Sequence, residues 1–202
     1  VMTGILPLYK NGELQKAHED FWAARAVETF CKDGHYDRGI FSIYFFNLLH
    51  LKKGEGIYQP AGLPHAYLEG QNVEIMANSD NVLRAGLTDK HIDIDELMKH
   101  VQFVPTHPQI IRSDEKMEET VYKSAAAEFE VSRLVLTNND QQSWQSTGPE
   151  IVLLMQGRAT LAAGATTINL TEGEAAFIIP GQDVDVQATA QTVIFRAVVP
   201  QG

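Results

Sequence analysis

The tightest constraint on this chain is a succession of short segments of strand-like composition that begins at about Pro105 and runs to the C-terminus. Candidate strands lie at 119–123, 128–136, 151–155, 158–163, 166–170, 174–179, 183–188 and 192–199. Turn formers separate them: Asn138-Asn139, Gly148-Pro149, Gly157, Gly164, Gly173 and Pro180-Gly181. Strands this short, spaced this closely by turn chemistry, close on themselves as a sandwich or barrel.

Upstream the periodicity changes. Residues 13–33 place Leu14, Ala17, Phe21, Ala24, Val27, Phe30 and Cys31 near i, i+3, i+4, i+7 spacing. That spacing predicts one amphipathic helix, opened near Asn11-Gly12 and stopped at Gly34. From Ile43 to Leu51 a nearly continuous apolar run predicts a strand, and 73–77 (VEIMA) predicts another. Residues 93–100 (DIDELMKH) predict a short helix capped by Asp93 or Asp95. The cadence of a Gly-Glu turn, a strand and then Pro is written twice, at about 48–70 and 168–188, and reads as two copies of one β-unit. Such a cadence suits a small jelly roll of the cupin kind. The first copy puts His65 at its strand end. The second has Gln182 and Asp183 there, and no histidine follows His107, so the C-terminal copy is read as structural.

Charge narrows the function classes. A formal net charge of −10, from 26 acidic against 16 basic residues, disfavours nucleic acid, because phosphate backbones are held by a positive field. No apolar run approaches the ~20 residues of a membrane span, and no signal peptide is visible. One cysteine, Cys31, excludes an internal disulfide. Its helical, apolar neighbourhood suggests a structural thiol in a reducing, cytoplasmic setting. The chain opens on Val1, which is not an initiator residue.

Most of the candidate chemistry is gathered in Gln59–Lys90. His65 is a single imidazole at a strand end, a usual place for zinc. There is no H-x-H or H-E-x-x-H, and a lone histidine is more often a satisfied structural residue. Arg84 and Lys90 lie six residues apart in a Gly-containing turn region. Both suit a phosphate or a developing oxyanion; solvated surface cations are the alternative. Glu74, between Val73 and Ile75, faces away from them and is either a general base or a surface acid. Asp80-Asn81 has the composition of an Asx-turn.

Read together, PHAYLEG, VEIMANSDNVLRAGLTDK and IDIDEL resemble very closely the signature region of type I phosphomannose isomerases, from about Asp37 to Val101 and more loosely over the C-terminal β-unit. The resemblance implies a zinc enzyme that interconverts mannose 6-phosphate and fructose 6-phosphate, with a catalytic cupin, a helical insertion and a C-terminal cupin. His65 matches the zinc-ligating histidine of the P-H-A-Y motif. Arg84 matches the catalytic arginine of N-x-x-R-A-G. Tyr67, Glu74, Asp80 and Lys90 match other residues of that pocket: Glu74 and Asp80 with catalytic roles, Tyr67 and Lys90 with substrate-binding roles. Asp89 departs from the proline often found before the lysine.

The resemblance also implies a division of the chain. The expected fold is mainly β and of cupin or jelly-roll type. Residues 1–37 would end a helical insertion, 38–104 would form the second half of the catalytic cupin, and 105–202 a C-terminal cupin-like β domain without a metal site. The family's remaining zinc ligands, a Gln-x-His pair and a Glu, have no counterpart here, since Gln15 and His18 are spaced one residue too far apart. The expectation is therefore a C-terminal portion whose partner is the missing N-terminal part of the same enzyme, with a small sugar phosphate as substrate. The alternative is a non-catalytic cupin that binds a sugar phosphate.

Overall fold

A computed structural model describes residues 2–32, 34–79, 81–113 and 118–200. The chain divides into two units. The first takes in Val1–His50, Gln59–Gln71 and Ser79–Pro108, and the second Leu51–Tyr58, Asn72–Asn78 and Gln109–Gly202.

The first unit is helical. Its elements are α1 (Met2–Lys10), α2 (Glu19–Phe30), α3 (Ile40–Phe45) and α4 (Ile94–His100). α2 is shorter than the sequence predicts, and α1, which carries Pro7 inside it, was not predicted. Its core is Ile5, Trp22, Ala23, Ala24, Ala26, Val27, Ile40 and Ile43, with Leu48 and Leu87 packed against it. α2 contributes Trp22 together with the small residues Ala23, Ala24, Ala26 and Val27 to this core. The strand expected from Ile43 onward is not formed; its first residues belong to α3. Ile40 and Ile43 both enter this core, a three-residue spacing that a helix satisfies and a strand cannot. Asp93 caps α4 by accepting a hydrogen bond from Glu96 N at 2.9 Å, as the sequence predicts.

The second unit is an antiparallel sandwich of cupin type. Gly56–Ile57 (β1) pairs with Ile110–Ile111 (β2) as a small ribbon. The remaining strands are β3 (Glu119–Tyr122), β4 (Glu130–Leu136), β5 (Gln141–Gln145), β6 (Glu150–Gln156), β7 (Arg158–Ala163), β8 (Thr166–Thr171), β9 (Ala175–Ile178), β10 (Asp183–Ala188) and β11 (Thr192–Val198). They form a four-stranded sheet ordered β5-β10-β7-β8 and a five-stranded sheet ordered β3-β4-β11-β6-β9. Alternation decides which face is inward. In β10, Val184, Val186 and Ala188 are buried while Asp183, Asp185 and Gln187 are exposed. Leu134, Leu136, Val152, Leu154 and Ile194 from one sheet meet Leu161, Leu170, Val184 and Val186 from the other. Each such side chain contributes about 1.5–3 kcal/mol relative to exposure.

One end of this core is polar and closed. Glu150, 2% exposed, accepts from Trp144 Nε1 at 2.8 Å and from Arg196 Nε and Nη2 at 2.8 and 2.9 Å. The Arg196 guanidinium also lies 4.8 Å from the Trp144 ring centre. Both oxygens of the buried carboxylate are thereby hydrogen-bonded.

The predicted repeat survives at its turn and not in its strands. In Lys52–Glu55, Glu55 N donates to Lys52 O at 3.0 Å and the Glu55 carboxylate accepts from Lys52 N at 2.8 Å. In Thr171–Glu174 the same two bonds measure 3.0 and 2.7 Å. The third residue is Gly54 (φ 83°) in one and Gly173 (φ 87°) in the other, the left-handed conformation glycine adopts without a side-chain clash. The strand that follows is only two residues long in the first copy.

Candidate functional site

The segment Gln59–Lys90 forms no regular helix or strand among its described residues. That includes 73–77, where a strand was expected. Burial still alternates there, with Val73, Ile75 and Ala77 partly covered and Glu74 and Met76 exposed. The extended side-chain pattern is present, but among the described residues no neighbouring strand supplies the ladder that defines a sheet.

Two loops of the helical unit carry four of the candidate residues, His65, Tyr67, Arg84 and Lys90, and each is fastened by identifiable bonds. The first loop holds His65 and Tyr67. Gln102 N donates to Gly62 O at 2.9 Å and Gln102 Nε2 to Ala61 O at 3.2 Å, so the residues after α4 hold its start. Glu69 holds its end: its carboxylate takes hydrogen bonds from Lys16 and Arg25. Those two bonds, Lys16 first, keep the Glu69 carboxyl below the usual glutamate range. Arg25 is itself placed by α2 and lies over the Trp22 ring, 5.6 Å from its centre.

Within this loop, His65 Nδ1 lies 3.1 Å from Leu63 O. A carbonyl oxygen only accepts, so this contact is a hydrogen bond when the proton sits on Nδ1, and the neutral ring then leaves the Nε2 lone pair for a metal, oriented by a backbone carbonyl. The His65 and Tyr67 rings meet edge to face with centres 6.0 Å apart.

The second loop holds Arg84 and Lys90, both exposed. Its turn is pinned by Asp37, a residue outside the predicted set. Asp37 Oδ2 accepts from Leu87 N at 3.0 Å, and Oδ1 accepts from Gly39 N at 2.6 Å. Lys90 N donates to Thr88 Oγ1 at 3.1 Å. No ion-pair partner for Arg84 or Lys90 occurs among the described residues.

His65, Tyr67, Arg84 and Lys90 thus share the helical unit, whereas Glu74 belongs to the β unit. Asp80 lies outside the described residues. No group of three or more His, Cys, Asp or Glu side chains that can hold a metal occurs among the described residues. One prepared imidazole does not by itself fit a zinc ion, which takes about three protein ligands at a catalytic site. Asp37 and Glu69 were missed by the sequence reading. Asp37-Arg38-Gly39 just ahead of an apolar helix is a turn signal that points to the first; nothing local marks the second.

No family model matches the chain. It is 38% identical over 175 residues to the mannose-6-phosphate isomerase of Escherichia coli, a match covering 86% of this chain and 44% of that protein. It is 32% identical over 163 residues to mannose-6-phosphate isomerase 1 of Arabidopsis thaliana, covering 80% and 38%. The crystal structure of mannose 6-phosphate isomerase from Salmonella typhimurium, bound to its substrate and to a zinc atom, matches with a TM-score of 0.76 at 28% identity over 99% of this chain and 50% of that one. The chain spans half or less of the length of each of these proteins. In sequence and in fold it is a homologue of the mannose-6-phosphate isomerases.

Proposed function

We propose that this chain supplies part of the active site of a zinc-dependent isomerase that interconverts mannose 6-phosphate and fructose 6-phosphate. The observation that carries the reading is the match, over nearly the whole chain, to a solved isomerase holding zinc and its substrate.

The reaction moves a proton between C1 and C2 of the open-chain sugar through an enediol. Arg84, exposed on a pinned turn, is suited to stabilise the negative charge that develops on the enediolate oxygen. Lys90, six residues on, suits the phosphate as a compact positive charge. Tyr67, edge to face with His65, lines the sugar. Glu74 and Asp80 are the candidate groups for the proton transfer. His65 would supply one imidazole ligand to the zinc, which would act there as a Lewis acid on the sugar oxygens, and the remaining ligands would come from residues beyond this chain. We assign those ligands to a preceding part of the same protein. Two observations support this: the relatives are more than twice as long as the matched region, and large apolar side chains of the helical unit stand exposed, Phe45 at 81% and Phe103 at 75%. Such side chains are what a covering segment buries. A cytoplasmic enzyme fits the single free cysteine, Cys31. No helix among the described residues is long and apolar enough to cross a membrane.

The test is turnover. The purified protein carrying this chain is assayed for mannose 6-phosphate formed from fructose 6-phosphate, with zinc counted per chain and intact mass measured. Turnover with about one zinc per chain supports the reading. A folded, metal-free 202-residue monomer that binds sugar phosphate without converting it overturns the isomerase reading for this polypeptide in favour of a binding cupin.

A further inference from the structure

We infer that Asp37 is a positioning residue for Arg84. It never meets the substrate, but its carboxylate fixes the turn that aims the guanidinium. The inference rests on the isomerase reading.

The geometry begins with Asp37 itself, which is half-buried. Its backbone N–H reaches Cys31 Sγ at 3.2 Å, just past the end of α2. Its carboxylate then bonds in two directions. Oδ1 takes the N–H of Gly39, at the entry to α3, and Oδ2 takes the N–H of Leu87, 50 residues on in sequence. The side chain therefore ties the entry of α3 to the loop three residues beyond Arg84, while the backbone of the same residue is held at the end of α2.

That loop needs holding. Leu87 has φ 50° and Gly86 φ 143°. A leucine in the left-handed region is an unfavourable conformation that persists only where its surroundings over-determine it. The surroundings do so from both sides. The Leu87 side chain packs against the helical core, while its N–H is taken by Asp37. Two glycines permit the approach. A Cβ on Gly86 would meet Gly39 Cα at 3.1 Å, and a Cβ on Gly39 would meet Leu87 N at 3.1 Å and Asp37 Oδ1 at 3.0 Å. The backbones of the two loops are in contact there, with the carboxylate filling the remaining gap. Arg84 itself has no ion-pair partner among the described residues, so its direction is set by its backbone, and its backbone is set by this clamp. A displacement of about 1 Å in a catalytic group costs on the order of 10²-fold in rate.

The experiment is a double-mutant cycle in the full protein, with Asp37→Asn, Arg84→Ala and their combination. Asparagine keeps the size and one acceptor oxygen and replaces the other with an amide that cannot accept an N–H. The expected result is a kcat at least about tenfold lower for D37N, KM within about twofold, and a double variant no slower than R84A alone, because the two residues act as one unit. Independent multiplication of the two losses, or a D37N enzyme with full kcat, overturns the inference. Hydrogen exchange at Leu87 N–H reads the clamp without turnover: protected in the parent, at least about tenfold faster in D37N. Equal exchange overturns the clamp even if kcat falls. An inactive parent protein overturns the isomerase reading instead, and the exchange rates then decide the clamp separately.

Discussion

Glu150→Ala is the perturbation whose cost the structure specifies most fully. The variant deletes three hydrogen bonds at once, one from Trp144 and two from Arg196. It leaves Arg196, with a side chain only 19% exposed, facing a cavity where a carboxylate had been. Breaking a buried pair by removing one partner typically costs about 3–5 kcal/mol. The guanidinium keeps one weaker neighbour, Glu119 at 3.7 Å, which places the expected loss near the lower end, at about 3 kcal/mol. For a unit of roughly 100 residues each kcal/mol lowers Tm by about 4–8 °C, so the expected fall is about 12–24 °C. The assay is urea unfolding followed by Trp144 fluorescence in a Trp22→Phe background, since Trp22 lies in the other unit. With a slope of ~1.5 kcal/mol/M the midpoint should move down by about 2 M at unchanged slope. A double variant, Glu150→Leu with Arg196→Met, should recover most of the loss, because an apolar pair carries no desolvation debt. A loss under about 1 kcal/mol in E150A would refute the reasoning, since that is the worth of an exposed pair.

The remaining predictions concern the loops. His65→Ala should lower zinc occupancy together with activity; zinc content measured by elemental analysis and found unchanged would remove His65 from the ligand set. Arg84→Ala should lower kcat by about 10²-fold with zinc retained, and an intact kcat would make Arg84 a surface cation. Glu69 gives a pH prediction. Its folded pKa is depressed by Lys16 and Arg25, so the ionised form is favoured in the native state. The resulting stability is fully present above the ordinary carboxyl range and is lost as pH falls through the depressed value. An NMR titration of the Glu69 carboxyl should give a midpoint below that of an unstructured peptide, moving back up in Lys16→Ala; a midpoint at or above the peptide value contradicts the ion pairs.

The β unit was almost entirely legible, because in a half-buried strand each residue reports its own face. Eight of its strands fall within a residue or two of the sequence reading. β5 was missed because its inward residues are Gln142 and Trp144, only partly buried, and its sequence QQSWQ has no apolar alternation. Its flanking turns, Asn138-Asn139 and Gly148-Pro149, were seen with nothing placed between them. The helical unit was less legible. Short apolar runs do not distinguish helix from strand by content, and Ile43–Phe45 resolved as helix through a core made by α2. Of the candidate site, the motif residues were legible as words. Their supports, Asp37 and Glu69, were not, since both act across long sequence separations: 50 residues from Asp37 to Leu87 and 53 from Glu69 to Lys16.

The turn at Thr171–Glu174 has a consequence for the order of folding. It is the corner at which the chain leaves β8 in one sheet and enters β9 in the other. All its defining bonds span three residues, so it closes on the timescale of a local loop, about 10–100 ns. The pairing it serves, Leu153 with Ala175, spans 22 residues and must wait for a slower search. Gly173 N already points at Leu154 O, and Glu174 O at Leu154 N, at 2.8 and 2.9 Å. A corner formed early thus presents the first two rungs of the β6–β9 ladder in register. Gly173→Val would put a β-branched residue at φ 87°, so it would slow the arrival of the sheet's edge strand and strain the corner of the finished sandwich as well.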